Sequence, residues 1–250
     1  MPVLIVIPAR LGSTRLARKP LQLLAGEPLI VRVIERAREV PGVDHIVVAT
    51  DAAEVAEAVR GTGVDVAMTR TDLSSGTDRA AAVAIRSDYH RFDIIVNMQG
   101  DEPFLPIAAV TGAIDRVRGG DAIGTAAAPM DPALRDDPSR VKVVCNDLSR
   151  AIYFSRLAIP AVRDAADLPD AHWWQHLGVY AYRREALLRV ASLPPSRLER
   201  MERLEQLRAL EAGLPIGVAL LDRPAPPGID TPEDLAIAVA QWPDHVGAMR

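Results

Sequence analysis

The chain has 250 residues, 49% hydrophobic and 25% charged, an ordinary globular composition with ample sequence for a buried core. A formal net charge of −4 and a pI near 5.8 argue against a nucleic-acid surface, which needs a dominant basic face, so the cations that matter must act locally. One cysteine, Cys145, excludes an intramolecular disulfide, five scattered histidines form no zinc-type cluster, and MPVLIVIPAR is too soon broken by Pro8 and Arg10 for a signal peptide or membrane span, so a soluble cytoplasmic protein is expected.

VLIVIPA is a β-branched run without polar alternation, the pattern of a strand covered on both faces of a parallel sheet. After a basic loop, PLIVRVIERAREV places Leu29, Ile30, Val33, Ile34 and Ala37 at helical spacing. HIVVAT predicts a second strand, AAEVAEAVRGTG a helix stopped by glycine, VDVAMT a third strand, RAAAVAIRS a helix, and DIIVNMQGDEP a fourth strand ending in an acidic turn. This alternation predicts a doubly wound α/β sheet. From about Asp121 the rhythm changes: IGTAAAPM, RVKVVCND, AIYFSR and HLGVYAYR predict successive strands, an accessory region on the sheet. RREALLRVASL is predicted as a helix and SRLERMERLEQLRALEAG as a single helix closed by Gly213, with Met201, Leu204 and Leu207 toward a core and Glu199 with Arg203 as a solvated pair. PIGVALL predicts a late strand and TPEDLAIAVAQW the last helix, with Thr231 as N-cap, Pro232 at N1 and Asp234 at N3. One domain, 1–250, is expected, with a core of about 1–120 and 214–242 and an accessory region of about 121–213. Cys145, within VKVVCND, reads as a buried strand thiol and not a nucleophile.

In an open α/β sheet ligands bind beyond the carboxyl ends of the strands, and four segments fall there: 8–19, 71–79, 99–103 and 228–230. IPARLGSTRLARKP concentrates Arg10, Arg15, Arg18 and Lys19 in one loop. It is either a solvated turn or a site for a polyphosphate, whose about four negative charges such cations neutralise. Only Lys19 and Lys142 are lysines among 29 cations, so Lys19 departs from the chain's preference for arginine. No Walker pattern is present. Asp101 and Glu102 of QGDEP either cap the next helix or hold magnesium, and Asp230, which Thr231 relieves of capping, makes a plausible second ligand beside Asp101. SSGTDR offers small hydroxyls at a helix start, either as a base or phosphate contact or simply with Thr77 as N-cap. Arg156, Arg163, His176, Tyr180, Glu205 and Gln206 together suit a hydroxylated acid, with guanidinium for the carboxylate and the rest for hydroxyls.

IPARLGSTRLARKPL, IVVATD, SSGTDR, VNMQGDEP, RVKVV, YFSRLAIP, HLGVYAYR, LEQLR and GIDTPEDL, in this order over nearly the whole length, closely resemble the 3-deoxy-manno-octulosonate (Kdo) cytidylyltransferase family. The resemblance implies a nucleotide-diphospho-sugar transferase-like fold, a doubly wound mixed sheet with an embedded accessory region, and homodimers. It implies attack of the anomeric C2 hydroxyl of Kdo on the α-phosphorus of CTP, giving CMP-Kdo and pyrophosphate for lipopolysaccharide assembly, with no protein nucleophile. By the same resemblance Arg10 and Lys19 bind the triphosphate with Arg15 in support, Ser74 and Gln99 lie where cytidine is held, and Asp101 and Asp230 ligate Mg2+. Arg156, Arg163, His176, Tyr180, Glu205 and Gln206 fall at or near the sugar-acid positions. Where the family usually reads Pro-Gly this chain has Ala17 and Arg18, which leaves Arg18 without a role. Other readings are a cytidylyltransferase for a sialic acid or amino-substituted Kdo, or an inactive nucleotide-binding homologue.

Overall fold

The computed structural model describes residues 1–13, 15–73, 75–164, 166 and 172–248, with side chains only to 242 in the last helix. Its elements are β1 (Val3–Ala9), β2 (Leu23–Leu24), β3 (Glu27–Pro28), α1 (Leu29–Arg38), β4 (His45–Thr50), α2 (Ala53–Val59), β5 (Asp65–Met68), α3 (Gly76–Ala84), β6 (Ile94–Met98), α4 (Ile107–Arg118), β7 (Ile123–Pro129), β8 (Lys142–Cys145), β9 (Ala151–Ser155), β10 (Trp174–Arg183), α5 (Arg184–Ser192), α6 (Arg197–Glu202), α7 (Gln206–Glu211), β11 (Ile216–Leu220) and α8 (Pro232–Ala248). They form two compact units, Met1–Ile107 with Pro226–Arg250, and Ala108–Ala225. No helix among the described residues is long and apolar enough to cross a membrane.

In the first unit β6, β1, β4 and β5 lie side by side, all parallel. Residues 3–7 of β1 and all of β6 are buried, as their uniform apolar runs predict. The chain moves outward from β1 through β4 to β5 and then returns to the other side of β1 as β6. That reversal opens a crevice beyond the carboxyl ends of β1 and β6. A short hairpin, β2 with β3, was not foreseen: its turn places Ala25 and Gly26 at positive φ, and Ala25 carries none of the usual sequence signal for that conformation. Ser75, not Thr77, caps α3, its hydroxyl accepting from the Asp78 amide at 3.0 Å, so the helix starts before Arg79 and Thr77 lies inside it. Thr231 and Asp234 exchange hydrogen bonds at the start of α8 as expected.

The second unit is a mixed sheet in the order β11, β7, β10, β8, β9, with β11 parallel to β7 and the other pairs antiparallel. Cys145 sits on β8 but is half-buried, not buried as its strand context predicts; desolvation still pushes its thiol up to about 11, away from a reactive thiolate.

The single helix expected over 196–213 is two. α6 ends in a Schellman turn at Arg203, whose left-handed φ of 56° is where glycine is usual, and the Leu204 amide donates back to the Glu199 carbonyl at 3.3 Å. Met201 is consequently 70% exposed and not in a core, although Leu204 and Leu207 are buried. Glu199 is no solvated partner of Arg203. It is buried, takes both Nε (2.8 Å) and Nη2 (2.5 Å) of buried Arg208, and closes a capping box with Ser196. This pair pins α6 to α7 across the break. Burial opposes ionisation of Glu199, but Arg208 and the Ser196 amide outweigh it and hold the carboxyl below its ordinary 4.5. Glu199→Ala, which strands the guanidinium, is expected to cost about 3 kcal/mol in chemical denaturation at neutral pH. Because the folded-state value is depressed, the wild-type contribution is present above pH 4.5 and fades as pH falls through the folded value, so the gap between wild type and variant should narrow in acid. A gap that widens below pH 4 would contradict the ion pair.

Candidate active site

Three of the four strand-end segments converge on one apolar anchor in the first unit. Leu16, Leu24, Leu29, Phe104, Ile229 and Ala238 form a buried cluster with Leu235 and Trp242 against it. Leu16 lies three residues from Lys19, Phe104 three from Asp101, and Ile229 one from Asp230, so burying three apolar side chains together brings three charged ones into register. The backbone completes the join, with the Ile229 amide donating to the Asp101 carbonyl at 3.0 Å. Asp234 accepts the amides of both Asp230 and Thr231, which leaves the Asp230 carboxylate for other work.

At the centre is Lys19, only 8% exposed, whose Nζ donates to Asp101 and, at 2.7 Å, to Asp230. Burial disfavours its charge, but the two aspartates more than compensate and keep the ammonium firmly protonated. Arg15 reaches the same Asp230 oxygen at 3.0 Å from an exposed position. An ammonium has three hydrogens, and two are engaged here. Glu102 is the third carboxyl of the group, pushed up to about 8 by burial and by repulsion from Asp101 and Asp230, against a smaller pull from Lys19. A Cβ at Gly228 would lie 2.9 Å from Glu102 Oε1, so the glycine of GID makes room for that carboxyl. Among the described residues no three His, Cys, Asp or Glu form a ready-made metal cage. Two convergent carboxylates, all oxygen, fit a hard cation that completes its shell with water and phosphate oxygens, as Mg2+ does.

Beside this cluster the backbone is pressed close. A Cβ at Gly100 would meet the Pro8 carbonyl oxygen at 2.7 Å, and one at Gly76 would lie 3.3 Å from the amide nitrogens of Asn97 and Gln99. These glycines draw the start of α3 and the QGDEP turn onto the end of β1. Gln99 donates to Asn97 at 3.3 Å, Ser74 lies outside the described residues, and Arg10 is exposed. The loop before α3 is organised by Arg79, only 2% exposed, which donates to Asp51 (2.7 Å), Thr69 (2.6 Å) and the Leu73 carbonyl (3.4 Å). Nothing in IVVATD or SSGTDR signals that Asp51 and Arg79 pair across them.

Arg18 takes the left-handed conformation, φ 53°, and pairs with Glu54 at 2.7 Å on the surface. That explains the family's usual glycine at this position: it reaches the same backbone without steric cost. Arg18→Gly is expected to leave stability within about 1 kcal/mol of wild type, since relief of about 1 kcal/mol of strain offsets a weak exposed ion pair and the looser unfolded chain. Turnover should not change. A loss above about 2 kcal/mol in denaturant titration would give Arg18 a structural role after all.

In the second unit His176, Tyr180, Glu205 and Gln206 lie on β10 and at the start of α7. The His176 and Tyr180 rings touch at 5.3 Å between centroids, and Tyr180, pushed well up by burial with Tyr182 and Glu205 nearby, is a neutral phenol. Gln206 is buried, and Arg163 is exposed. Arg156 is already a stitch: its guanidinium donates to the carbonyls of Glu202 (2.8 Å), Pro138 (2.9 Å) and Arg203 (3.4 Å), and its amide to Glu202. Two of its five N–H groups remain for a ligand. Fully buried Lys142 donates to the carbonyls of Asp137, Arg140 and Arg156. Both lysines of the chain are thus buried ammonium groups with divergent acceptors, a task a planar guanidinium does not match.

A model of the family described as cytidylyltransferase matches residues 4–216. The 3-deoxy-manno-octulosonate cytidylyltransferase of Gemmatimonas aurantiaca is 53% identical over 247 residues, 97% of this chain and 95% of that protein. Its namesake in Xanthomonas campestris pv. campestris strain 8004 is 48% identical over 248 residues, covering 95% and 98%. A solved structure of CMP:2-keto-3-deoxy-manno-octonic acid synthetase complexed with CTP superposes with a TM-score of 0.90 at 40% identity, covering 98% of this chain and 99% of that one. 4-Diphosphocytidyl-2C-methyl-D-erythritol synthase from Anaerococcus prevotii, 10% identical with a TM-score of 0.62, shares the fold alone.

Proposed function

This chain belongs to the 3-deoxy-manno-octulosonate cytidylyltransferase family, and we propose that it transfers CMP from CTP to the C2 hydroxyl of Kdo. It is a nucleotidyltransferase of the nucleotide-diphospho-sugar transferase-like fold. The observation that carries the reading furthest is Lys19 held between Asp101 and Asp230 at the sheet's switch point, in a chain alike over nearly its whole length to a synthetase complexed with CTP.

In the reaction the C2 hydroxyl oxygen of the sugar acid attacks the α-phosphorus and gives up its proton to solvent, the bond from that phosphorus to the β-phosphate oxygen breaks, and pyrophosphate leaves. Such a displacement needs alignment and charge neutralisation more than covalent chemistry from the protein. Lys19 offers its remaining hydrogen to a phosphate oxygen, with Arg10 and Arg15 neutralising the rest of the triphosphate. Gln99 and Ser74 hold the cytosine end, beside glycines that keep the approach narrow. Asp101 and Asp230 hold Mg2+, which when bound supplies charge neutralisation at phosphate and lowers the pKa of a coordinated hydroxyl. Arg156 and Arg163 receive the carboxylate of Kdo, while His176, Tyr180, Glu205 and Gln206 read its hydroxyls. The reading extends to a cytoplasmic homodimer that activates Kdo for lipopolysaccharide assembly.

Pyrophosphate release with CTP and Mg2+ tests this, with Kdo, 8-amino-Kdo, N-acetylneuraminate or no acceptor. Release that depends on Kdo and is weakest with N-acetylneuraminate is the expected result. Preference for N-acetylneuraminate overturns the acceptor, and no release with any of them overturns the activity.

A further inference from the structure

Thr125 lies on β7, is completely buried, and has a hydroxyl whose single hydrogen must find an acceptor inside the protein. Three groups surround it: the Val179 carbonyl at 2.7 Å, the His176 Nε2 at 3.0 Å and the Leu177 carbonyl at 3.4 Å. A carbonyl oxygen only accepts, so the short contact to Val179 takes the threonine's hydrogen. Toward His176 the hydroxyl oxygen is then an acceptor, and Nε2 must be the donor.

The local backbone makes this arrangement. β10 pairs with β7 through Leu177 opposite Ala126, and the next pair is Tyr180 opposite Thr125, so Gly178 and Val179 bulge from the ladder. The bulge turns the Leu177 and Val179 carbonyls onto the threonine. Because two residues are inserted, the faces are not exchanged, and His176, Tyr180 and Thr125 stay on one side of the sheet. Phe154 closes the ring from another side, edge-on at 5.0 Å between centroids. Burial in these surroundings lowers the His176 pKa to about 3, so the ring is neutral throughout the physiological range and its second nitrogen carries no proton.

We infer that Thr125 is a positioning residue that fixes His176 as the Nε2–H tautomer and thereby leaves Nδ1 as a hydrogen-bond acceptor for a hydroxyl of the sugar acid. This rests on the proposed placement of His176 at that substrate. Its consequence is a division of labour: an acceptor nitrogen repels an ionised carboxylate and selects a group that can donate, so His176 reads the polyol and the arginines read the acid.

Nitrogen-15 NMR of histidine-labelled protein without substrate tests the inference, with the signal assigned by His176→Asn. Wild type should show His176 protonated at Nε2 alone, with a hydrogen slow to exchange. Thr125→Val should lose that slow exchange and raise the KM for Kdo about tenfold, the worth of one hydrogen bond to a poised acceptor, with the KM for CTP unchanged. Thr125→Ser should behave as wild type in both respects. A His176 ring protonated at Nδ1, or a Thr125→Val enzyme with wild-type KM for Kdo, would overturn the inference. A correct tautomer in a wild-type protein that does not use Kdo would instead overturn the substrate assignment on which it rests.

Discussion

Asp101→Asn is expected to lower turnover about 10²- to 10³-fold, the scale on which losing one preorganised charge at a transferring phosphate is felt, while the melting temperature stays within a few degrees of wild type. The substitution is isosteric, and the amide oxygen still accepts from Lys19. The backbone bond between the Asp101 carbonyl and Ile229 does not involve the side chain, so the three anchored segments remain in place. What disappears is a negative charge at the proposed metal position. A second readout follows from the neighbour: burial, and after it Asp101 and Asp230, raise the Glu102 carboxyl to about 8, so neutralising Asp101 should lower that value while burial keeps it above the ordinary carboxylate range. Near-wild-type turnover by the purified variant, measured as pyrophosphate release at saturating CTP and Mg2+, would remove Asp101 from the machinery.

Lys19→Met should lower turnover by about 10²- to 10³-fold and, at the same time, shift the Mg2+ dependence to lower concentration. The two effects have opposite signs because Lys19 has two faces. In the proposed reaction its charge faces the triphosphate, while its hydrogen bonds occupy oxygens of Asp101 and Asp230, the carboxylates proposed for Mg2+. Methionine keeps the length and apolar stem but removes both, so the carboxylates attract a cation more strongly while the phosphates lose one. A variant that needs more Mg2+ than wild type would show that Lys19 helps to build the metal site and does not compete for it.

Much of the scaffold was legible because the physics is local. β1, β4 and β6 are short apolar runs bounded by turn residues, and the return of the chain to β6 places the switch point where the basic loop and QGDEP lie. The convergence of Lys19, Asp101 and Asp230 followed from strand ends, although the cluster of Leu16, Phe104 and Ile229 that enforces it did not, since isolated apolar residues in loops give no periodic signal. The break at Arg203 was invisible because RLERMERLEQLR contains neither glycine nor proline and keeps helical spacing throughout. Glu199 looked like one more solvated glutamate until the Schellman turn folded Arg208 back onto it. Thr125 itself carries no signal, because its partner is set by a bulge in another strand, of which Gly178 within HLGVYAYR is a faint mark. The unusual lysines were a usable signal, and Lys142 could have been singled out as Lys19 was.

Asp101 and Asp230 are proposed to hold together the divalent metal that accompanies CTP. Mn2+ in place of Mg2+ makes this directly measurable, by electron paramagnetic resonance of the free ion titrated with protein and CTP. Wild type should bind Mn2+ in the ternary complex, and Asp101→Asn and Asp230→Asn should each weaken that binding by about 10- to 100-fold while the proteins remain folded. Undiminished Mn2+ binding in both variants would remove the metal from this site and leave the pair of aspartates as no more than the counter-charge of Lys19.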